Sequence, residues 1–416
     1  MNDRLLRLLH FSTGDTNGGA AQAAFRLHRS LSAAGCHSRM IVRQKYSDAD
    51  DVTEIPAYLN PWRARARRVT RRFPPTPPPA FNLDVEPDIR TDLFYRDAPG
   101  EIDLVVLHSI SRLLTVPEIR RLHEHYRCPL VWALADQAPL TGGCHYTYDC
   151  DGYTAECGRC PQLGSDDPDD RSRTVLRRRH ELLRGLPLTF VAPSSPAAQW
   201  VRESSAFADH RVEIIPAITD TSVFRPFDRA VARDLLHVPS DALVVLLGAG
   251  DMMHFRKGLT SFAPEALRLL PDVLRRRLFV VAVGASGDEL LALLHVPGRA
   301  LGSLTDEVAL ALGFQAADVF LCPTIADAGP LMIPEALLCG TPVVAFDIGY
   351  AVDLVRTGET GYIARSRDAA ELARGLVDVL GRERSAWRDA CRAAALHHAP
   401  EHVVAAHTAL YRDLVS

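Results

Sequence analysis

The chain has 416 residues, of which 47% are hydrophobic and 24% are charged, and its formal net charge is −4. This length exceeds that of one ordinary domain, so we expect two α/β domains in a soluble globular protein. The slightly negative charge gives no general case for nucleic-acid binding, and no apolar run reaches the length of a membrane span. The N-terminus has the pattern of a first strand and not of a signal peptide, so we expect a cytoplasmic protein.

The first predicted elements are a strand at residues 5–11, a glycine loop (GDTNGG, 14–19) and a helix at 20–34. The spacing places Phe25, Leu27 and Leu31 on the inward face of this helix. A Gly-Gly pair at a helix start lets the backbone approach a phosphate closely, which makes Gly18 and Gly19 candidate ligand-binding residues. An ordinary strand–helix turn explains the pair equally well on its own.

A basic and proline-rich stretch follows at residues 61–81 (PWRARARRVTRRFPPTPPPAF). Six arginines and three large apolar side chains within 61–73 fit peripheral contact with an anionic membrane surface. A solvated insertion explains the same composition, and both interpretations stay open. Nucleic-acid binding is the weakest interpretation, because the basic patch is a single short stretch.

Two buried strands are predicted at 103–109 and 129–134, the first ending in His108 and the second followed by Ala135-Asp136. A polar side chain at the carboxyl end of a strand is a candidate ligand contact. A lone histidine in this position is more often structural than catalytic.

The segment 139–163 holds four cysteines with the spacing C-x5-C-x6-C-x2-C, namely Cys144, Cys150, Cys157 and Cys160. In a reducing compartment this pattern favours a structural zinc knuckle over disulfides, with His145 as an alternative ligand. A catalytic metal is not expected, because four thiolates leave no open coordination position. The acidic run at 166–170 (DDPDD) is interpreted as a solvated loop.

The second half begins with a strand at 243–247 and the loop GAGDMMHFRKG (248–258). Only Lys45 and Lys257 among the 47 basic residues are lysines, so a lysine at this loop stands out. A strand and turn at 280–284 and a loop at 304–307 follow.

The stretch from 318 to 349 has the most sharply specified pattern. A strand (319–322), a polar loop with Asp327, a short apolar helix that contains Glu335, the stop signal Gly340-Thr341-Pro342 and a second strand (343–346) make a β–α–β unit. A carboxylate among apolar neighbours is costly unless it is hydrogen-bonded. One interpretation is a nucleotide-sugar site with two hydroxyl acceptors flanking a phosphate cradle. The other is a helix N-terminal acid and a glutamate paired to a buried arginine.

Seven residues separate Asp327 from Glu335, and Glu335-Ala336 is followed by Cys339-Gly340-Thr341-Pro342-Val343-Val344-Ala345. This stretch resembles the donor-binding motif of retaining GT-B glycosyltransferases of family 4, in which two acids precede A-x-x-x-G-x-P-V. The resemblance extends to the glycine loop, to R-K-G at 256–258 and to the cysteine block. That block is similar to one found in a branch of the family that includes enzymes of exopolysaccharide synthesis.

The resemblance implies an α/β chain of GT-B type, with two Rossmann-like domains facing an interdomain cleft. An acceptor-side domain would span 1–225, a donor-binding domain 226–399, and a last helix within 400–416 would pack back on the first domain. The implied activity is sugar transfer with retention from a nucleotide sugar to a hydroxyl of a glycan, lipid-linked or small-molecule acceptor. It requires no catalytic cofactor and belongs to polysaccharide, glycoconjugate or natural-product synthesis.

The same resemblance assigns roles to residues. Glu335 would take the ribose hydroxyls, Asp327 a sugar hydroxyl, and Lys257 with Arg256 the departing diphosphate. His108 and Asp136 would stand at strand ends that face the acceptor and the donor sugar. The remaining donor-binding candidates are Gly18, Gly19, Gly284, Thr305, Gly329, Pro330 and Leu331.

Three positions depart from the family pattern: Ala135 replaces the usual histidine, Ala249 the usual arginine and Asp327 the usual glutamate. These departures keep open a non-catalytic partner subunit. A nucleotide-sugar epimerase or hydrolase on the same fold is the other alternative. We expect a transferase, because Lys257, Glu335 and the Gly18-Gly19 pair are retained.

Overall fold

The computed structural model describes residues 5–55, 91–96 and 100–416 of the chain. The strands of its first half form one seven-stranded sheet, in which every neighbouring pair is parallel. In chain order they are β1 (Arg7–Gly14), β2 (His37–Gln44), β3 (Val52–Glu54), β4 (Leu104–Leu107), β5 (Leu130–Ala133), β6 (Leu188–Ala192) and β7 (Val212–Ile214). Their order across the sheet is β3-β2-β1-β4-β5-β6-β7.

The helices of this half are α1 (Gly19–Ala33), α2 (Leu93–Arg96), α3 (Val116–Tyr126), α4 (Arg171–Leu183) and α5 (Ser195–Glu203). The predicted inward residues Leu27 and Leu31 of α1 are buried, and so is His28. Helix α4 begins at a clear cap, because the carboxylate of Asp170 accepts hydrogen bonds from the N–H groups of Ser172 and Arg173. The predicted acidic loop therefore ends in a buried capping residue.

The second half contains a six-stranded parallel sheet. Its strands are β8 (Leu243–Asp251), β9 (Leu278–Ala285), β10 (Gly298–Gly302), β11 (Val319–Cys322), β12 (Val343–Phe346) and β13 (Gly361–Ala364), in the order β10-β9-β8-β11-β12-β13. The strands are rich in Val, Leu, Ala and Phe, and most of their residues are buried, as expected for parallel strands covered on both faces.

Ten α-helices lie in this half of the described chain: α6 (Arg229–Leu235), α7 (Ala263–Arg268), α8 (Asp272–Arg275), α9 (Gly287–Leu294), α10 (Glu307–Ala316), α11 (Met332–Leu338), α12 (Tyr350–Leu354), α13 (Ala369–Leu380), α14 (Arg388–Ala395) and α15 (Pro400–Val415). The predicted β–α–β unit is formed by β11, α11 and β12. Gly340 follows α11 with a φ of 74°, in the left-handed region that glycine adopts at a helix end.

The chain forms two units. The first consists of the described residues up to Pro193 together with 197–215 and 404–416, and the second of 194–196 and 216–403. Each unit contains one parallel sheet with helices, which confirms the prediction of two Rossmann-like α/β domains. The boundary predicted near Arg225 lies about ten residues beyond Ile215. The predicted domain limits and the cleft stay predictions.

Within the described part of the chain, no helix is long and apolar enough to span a membrane. The basic and proline-rich stretch at 61–81 lies outside the described residues. Its two interpretations, contact with a membrane surface and a solvated insertion, therefore stay predictions.

Candidate functional site

The second sheet has a topological switch point between β8 and β11, where the strand order reverses direction. Ligands of open parallel sheets bind beyond the carboxyl ends of the strands at such a point. The segment after β8 carries Arg256 and Lys257 on a short 3-10 turn, and the loop after β11 carries Asp327. These are three of the residues singled out in the sequence, and the fold brings them together.

A salt-bridge triad joins the three side chains. One oxygen of Asp327, Oδ2, accepts hydrogen bonds from Arg256 Nη1 at 2.7 Å and from Lys257 Nζ at 2.8 Å. The other oxygen accepts from the N–H of Gly329 at 3.2 Å. The side chains are 13% (Asp327), 18% (Arg256) and 21% (Lys257) exposed, so solvent still reaches the group.

Backbone contacts hold the two loops in register. The N–H of Ile325 donates to the carbonyl of Arg256 at 2.9 Å, and Arg256 Nη1 also donates to the carbonyl of Ala326 at 2.6 Å. Gly258 has a φ of 68°, and a Cβ at this position would overlap the carbonyl oxygen of Pro323. Only glycine lets the lysine loop approach the end of β11 this closely.

The triad carries one net positive charge. Burial by itself would raise the pKa of Asp327, but the charges of Lys257 and Arg256 outweigh burial and lower it. The carboxylate therefore stays ionised at neutral pH and holds both cations beside the switch point. Such a cluster attracts a multivalent anion and leaves lone pairs of Asp327 for hydroxyl donors.

The other predicted donor-binding residues of this unit lie on three segments of the chain. Gly329, Pro330 and Leu331 follow Ala328 and lead into α11, where Glu335 is buried in the first turn. Gly284 is the next-to-last residue of β9 and has a φ of 137°, and a Cβ there would overlap the carbonyl of Ala249, near the end of β8. Thr305 is exposed ahead of α10. The roles assigned to these residues stay predictions.

The loop that carries Asp327 is closely packed. A Cβ on Gly329 would lie 2.6 Å from the ring of Tyr350, and Gly349 has a φ of 47° with Pro330 Cδ 2.9 Å from its Cβ position. Ser194 Oγ donates to the carbonyl of Ala328 at 2.6 Å. These contacts fix the backbone that presents the carboxylate.

In the first unit the strand order reverses between β1 and β4. His108, directly after β4, is hydrogen-bonded through Nε2 to Nδ1 of His10 on β1 at 3.0 Å. Both rings are buried, and His28 of α1 and His407 of α15 complete a buried histidine cluster. Burial lowers the pKa of His108 and of His407 to about 3, so these imidazoles are neutral at pH 7.

The predicted site residue Asp136, after β5, forms a pair that the sequence analysis did not anticipate. Its Oδ2 lies 2.5 Å from Nδ1 of His145, and its Oδ1 accepts from the N–H of Ala138 at 2.9 Å. His145, offered above as an alternative zinc ligand, thus contacts a carboxylate. The family that the sequence resembles has a histidine at the position of Ala135, directly before the aspartate. In this chain the imidazole next to Asp136 is that of His145.

His108 and Asp136 line one cavity of about 460 Å³ together with Ser109, Ser111 and Trp132. The structure therefore brings together the two strand-end residues predicted for this unit. Gly18 has a φ of 93° with no atom within 4 Å of its Cβ position, and it precedes the first residue of α1, Gly19. The part of these two glycines in ligand binding stays a prediction.

The four cysteines of the loop line a second cavity, of about 340 Å³. All four are free thiols, and burial raises the pKa of Cys144 to about 12 and of Cys157 to about 11. The N–H of Gly152 donates to Cys150 Sγ at 3.4 Å. In the part of the chain that the structure describes, no three His, Cys, Asp or Glu side chains are arranged to hold a metal ion. The thiols are gathered in one place without forming the predicted ligand set.

The chain is similar in structure to solved proteins over nearly its whole length. Sucrose-phosphate synthase from Thermosynechococcus elongatus is 19% identical, with a TM-score of 0.70, and covers 98% of this chain and 99% of its own. HepE from Anabaena, solved with UDP and glucose, is 15% identical with a TM-score of 0.62, and covers 98% of this chain and 100% of its own. At these identities the likeness defines the class of fold alone, which is GT-B.

Residues 244–382 match the family model described as "Glycosyl transferases group 1". The matched residues all lie within the second unit. A D-inositol 3-phosphate glycosyltransferase from Geodermatophilus obscurus is 31% identical over 272 residues, which cover 60% of this chain and 58% of the relative. One from Catenulispora acidiphila is 34% identical over 211 residues, which cover 46% and 48%. The chain thus spans about half the length of the curated relatives it matches.

Proposed function

We propose that the protein is a retaining glycosyltransferase that moves a sugar from a nucleotide-sugar donor to an acceptor hydroxyl. The observation that carries the proposal is the Asp327–Arg256–Lys257 triad at the switch point of the unit that contains the residues matching the group 1 family model. A carboxylate that holds two cations at this position provides one partner for a diphosphate and another for sugar hydroxyls.

Each part of the triad has a distinct task in this proposal. Lys257 and Arg256 bind the diphosphate of the donor and stabilise the charge that grows on its oxygen as the glycosidic bond breaks. Asp327 keeps both cations in place and accepts a hydroxyl of the transferred sugar. Glu335, buried in the first turn of α11, accepts the ribose hydroxyls. The second unit holds the nucleotide sugar, and the first unit, through His108 and Asp136, binds the acceptor.

Retention follows when the acceptor oxygen attacks the anomeric carbon on the face that the diphosphate leaves. One carbon–oxygen bond forms as the other breaks, and the acceptor proton passes to an oxygen of the departing diphosphate. In this scheme no protein side chain needs to act as the base. The acceptor is a glycan, lipid-linked or small-molecule hydroxyl compound, and transfer takes place in the cytoplasm or at the inner membrane face.

The test combines binding and turnover. A thermal-shift screen against UDP-, GDP-, dTDP- and ADP-sugars selects the donor, and transfer is then measured with Lys257→Ala. Loss of one preorganised charge at a departing oxyanion lowers kcat by about 10²–10³. Lys45→Ala is the matched control, since the other lysine donates to the carbonyl of Ala49 at 2.7 Å in the first unit. Equal turnover of both variants would reject the assignment.

The same assay separates the two alternatives. An epimerase or hydrolase consumes the nucleotide sugar with no acceptor added and forms no glycoside. A non-catalytic partner subunit binds the donor or nothing and never transfers. The triad favours the transferase over the partner subunit, because its lysine and arginine supply the positive charge that stabilises a departing diphosphate.

We further propose a structural zinc ion in the cysteine loop, held by Cys144, Cys150, Cys157 and Cys160. The supporting observation is that all four thiols line one cavity, although their present arrangement would have to close around the ion. Burial raises the pKa of Cys157 and of Cys160, and hydrogen bonds from the backbone N–H groups of Gly142 and Leu163 to their sulfurs act in the opposite direction. These donors suit thiolates better than disulfide sulfurs.

Zinc content and stability test this proposal. Purified protein should contain about one zinc per chain, and the double variant Cys157→Ser/Cys160→Ser should lose both the metal and several degrees of Tm. Cys36→Ser is the control, because Cys36 lies at the start of β2 and outside the loop. Metal-free wild-type protein with an unchanged Tm in the double variant would contradict the knuckle.

A further inference from the structure

The cavity at the carboxyl ends of β4 and β5 has an unusual balance of charge. Its empty space of about 460 Å³ includes open solvent, so the cavity is an open depression and not an enclosed pocket. Polar groups reach it from His108, Ser109, Ser111 and Asp136, and Trp132 with aliphatic side chains forms the apolar wall. The backbone of the serine segment is fixed, since Thr13 Oγ1 donates to the carbonyls of Ser109 and Ser111 at 2.8 and 3.0 Å.

The histidine of this cavity carries no charge at pH 7. Burial, with smaller contributions from the neighbouring His407 and His28, lowers the pKa of His108 to about 3. Its Nε2 lies 3.0 Å from Nδ1 of His10, itself fully buried, so a proton on either ring would be placed among imidazoles without a counter-ion. His108 therefore offers a hydrogen bond and no positive charge to a ligand.

Arg179 is the one basic side chain among the described residues that line the cavity, and it is committed to the loop after β5. It is 3% exposed, and its Nη1 donates to the carbonyls of Ala138, Pro139 and Thr141, the last two at 3.1 and 2.7 Å. These three bonds stabilise the turn at 138–140. Redirecting the guanidinium to a ligand would leave buried carbonyl groups without a donor, at about 1–3 kcal/mol each.

Asp136 places an acid at the same cavity. Its carboxylate bonds to the ring of His145 at 2.5 Å and to the N–H of Ala138 at 2.9 Å, and it retains lone-pair directions for a hydroxyl donor. A phosphate group in the cavity would approach this carboxylate, and like charges at short range oppose binding. Among the described residues that line the cavity, no uncommitted guanidinium or ammonium group offsets this repulsion. A hydroxyl faces no such penalty, because it donates to the carboxylate.

We propose that this cavity binds the acceptor through an uncharged, hydroxyl-bearing ring, such as a neutral sugar, and excludes a phosphorylated one. The inference rests on the proposed glycosyl transfer. Ring hydroxyls donate to Asp136 and exchange hydrogen bonds with the serines and His108, while the apolar face of the ring packs on the wall that includes Trp132. The curated relatives are named for D-inositol 3-phosphate, so this chain would differ from them in the charge of its acceptor.

Saturation-transfer NMR on the full chain without donor measures the binding directly. The probes are methyl glucoside, methyl mannoside and inositol, each compared with its monophosphate. The neutral compounds should bind at least tenfold more tightly than their phosphates. Tighter binding of any phosphate than of its neutral counterpart would overturn the proposal.

Two variants locate the binding in this cavity. Asp136→Asn should weaken the neutral rings about tenfold and reduce the discrimination against phosphates, whereas the exposed Asp209→Asn, in the same unit, should change neither. Ser111→Arg adds a cation at the cavity and should strengthen phosphate binding about tenfold, so the test stands even if Asp136→Asn does not fold. Unchanged discrimination in the folded variants would contradict the assignment.

Transfer assays distinguish this inference from the function on which it rests. Sugar transfer to a phosphorylated acceptor alone would overturn the neutral-ring inference and leave the transferase intact. Binding of neutral rings without transfer from any nucleotide sugar would remove the transferase and leave the cavity as a binding site for neutral rings.

Discussion

The ends of the two parallel sheets differ in the chemistry that they present. At the β8–β11 switch point of the second unit, Arg256 and Lys257 share one carboxylate oxygen of Asp327, and all three side chains remain partly exposed to solvent. At the β1–β4 switch point of the first unit, buried and uncharged histidines pack against one another. The same topology therefore carries a charged cluster at one switch point and an uncharged histidine cluster at the other.

In open parallel sheets the topology sets the place of a ligand site, and the loops supply its chemistry. Lys257 and Arg256 arrive on a turn whose Gly258 permits close approach, and Asp327 offsets part of their charge. Burial in the first unit lowers the pKa of the histidines, so they are uncharged at pH 7. The following predictions test the contrast, starting with the change of largest expected effect.

Gly258→Ala should disrupt the charged end most severely. The added Cβ would overlap the carbonyl of Pro323 on a backbone with φ of 68°, so the lysine turn must move away from Asp327. We expect about 2–4 kcal/mol of destabilisation and loss of transfer by more than 10²-fold, measured by denaturant unfolding and by initial rates. Gly250→Ala is the control, because nothing lies within 4 Å of its Cβ position. Equal behaviour of the two variants would show that loop contact is dispensable.

Asp327→Asn should separate the two tasks of the triad. Without the carboxylate the net positive charge rises, so the nucleoside diphosphate should bind as tightly as before or more tightly, while transfer falls about 100-fold because the sugar and the cations lose their shared partner. Calorimetric titration with the diphosphate and steady-state kinetics measure both. Asp228→Asn is the control, since Asp228 caps α6 away from the triad and asparagine also caps. A parallel loss of diphosphate affinity and rate would contradict this division of tasks.

Acid should destabilise the histidine cluster of the first unit before it affects the Asp327 triad of the second unit. Because burial lowers the folded-state pKa of His10, His108 and His407, the unfolded chain binds more protons below pH about 6.5. Stability is therefore full above that pH and falls toward pH 3, by about 1.4 kcal/mol per pH unit for each histidine. Asp327, whose pKa is lowered, contributes above the ordinary carboxyl range and loses its contribution only as the pH falls through its folded value.

His407→Phe gives the measurement for this prediction. Chemical unfolding followed between pH 5 and 8 should show a shallower loss of stability than wild type, because one buried base is gone. At pH 7.5 the variant should be no less stable, since Nδ1 of His407 is buried and has no hydrogen-bond partner among the described residues. His402→Gln, exposed on the same helix, should follow wild type. A wild-type slope in His407→Phe would exclude the cluster as the source of acid sensitivity.

Local signals in the sequence were sufficient for several elements of both sheets. Gly340 followed by Thr341-Pro342 stops α11 where predicted, and the rarity of lysine drew attention to Lys257. The strand predicted at 103–109 is β4 and the one at 280–284 is β9, with boundaries shifted by one or two residues. These features arise from short-range backbone chemistry, which a sequence displays directly.

Pairs of side chains far apart in the chain were not predictable in the same way. The contact of His10 with His108 spans 98 residues, and the burial of His28 on a helix face assigned to Leu27 and Leu31 depends on what packs against it. The pairing of Asp136 with His145 redirects a residue that the cysteine pattern suggested as a ligand. Tertiary packing, not local propensity, decides such partners.

The place of α15 has a consequence for synthesis. His407, Leu410 and Tyr411 are buried in the first unit, and Arg211 forms an ion pair with Asp413 at 2.5 Å. These residues leave the ribosome after the whole of 216–403. The residues that complete the interior of the first unit are therefore synthesised only after the entire second unit.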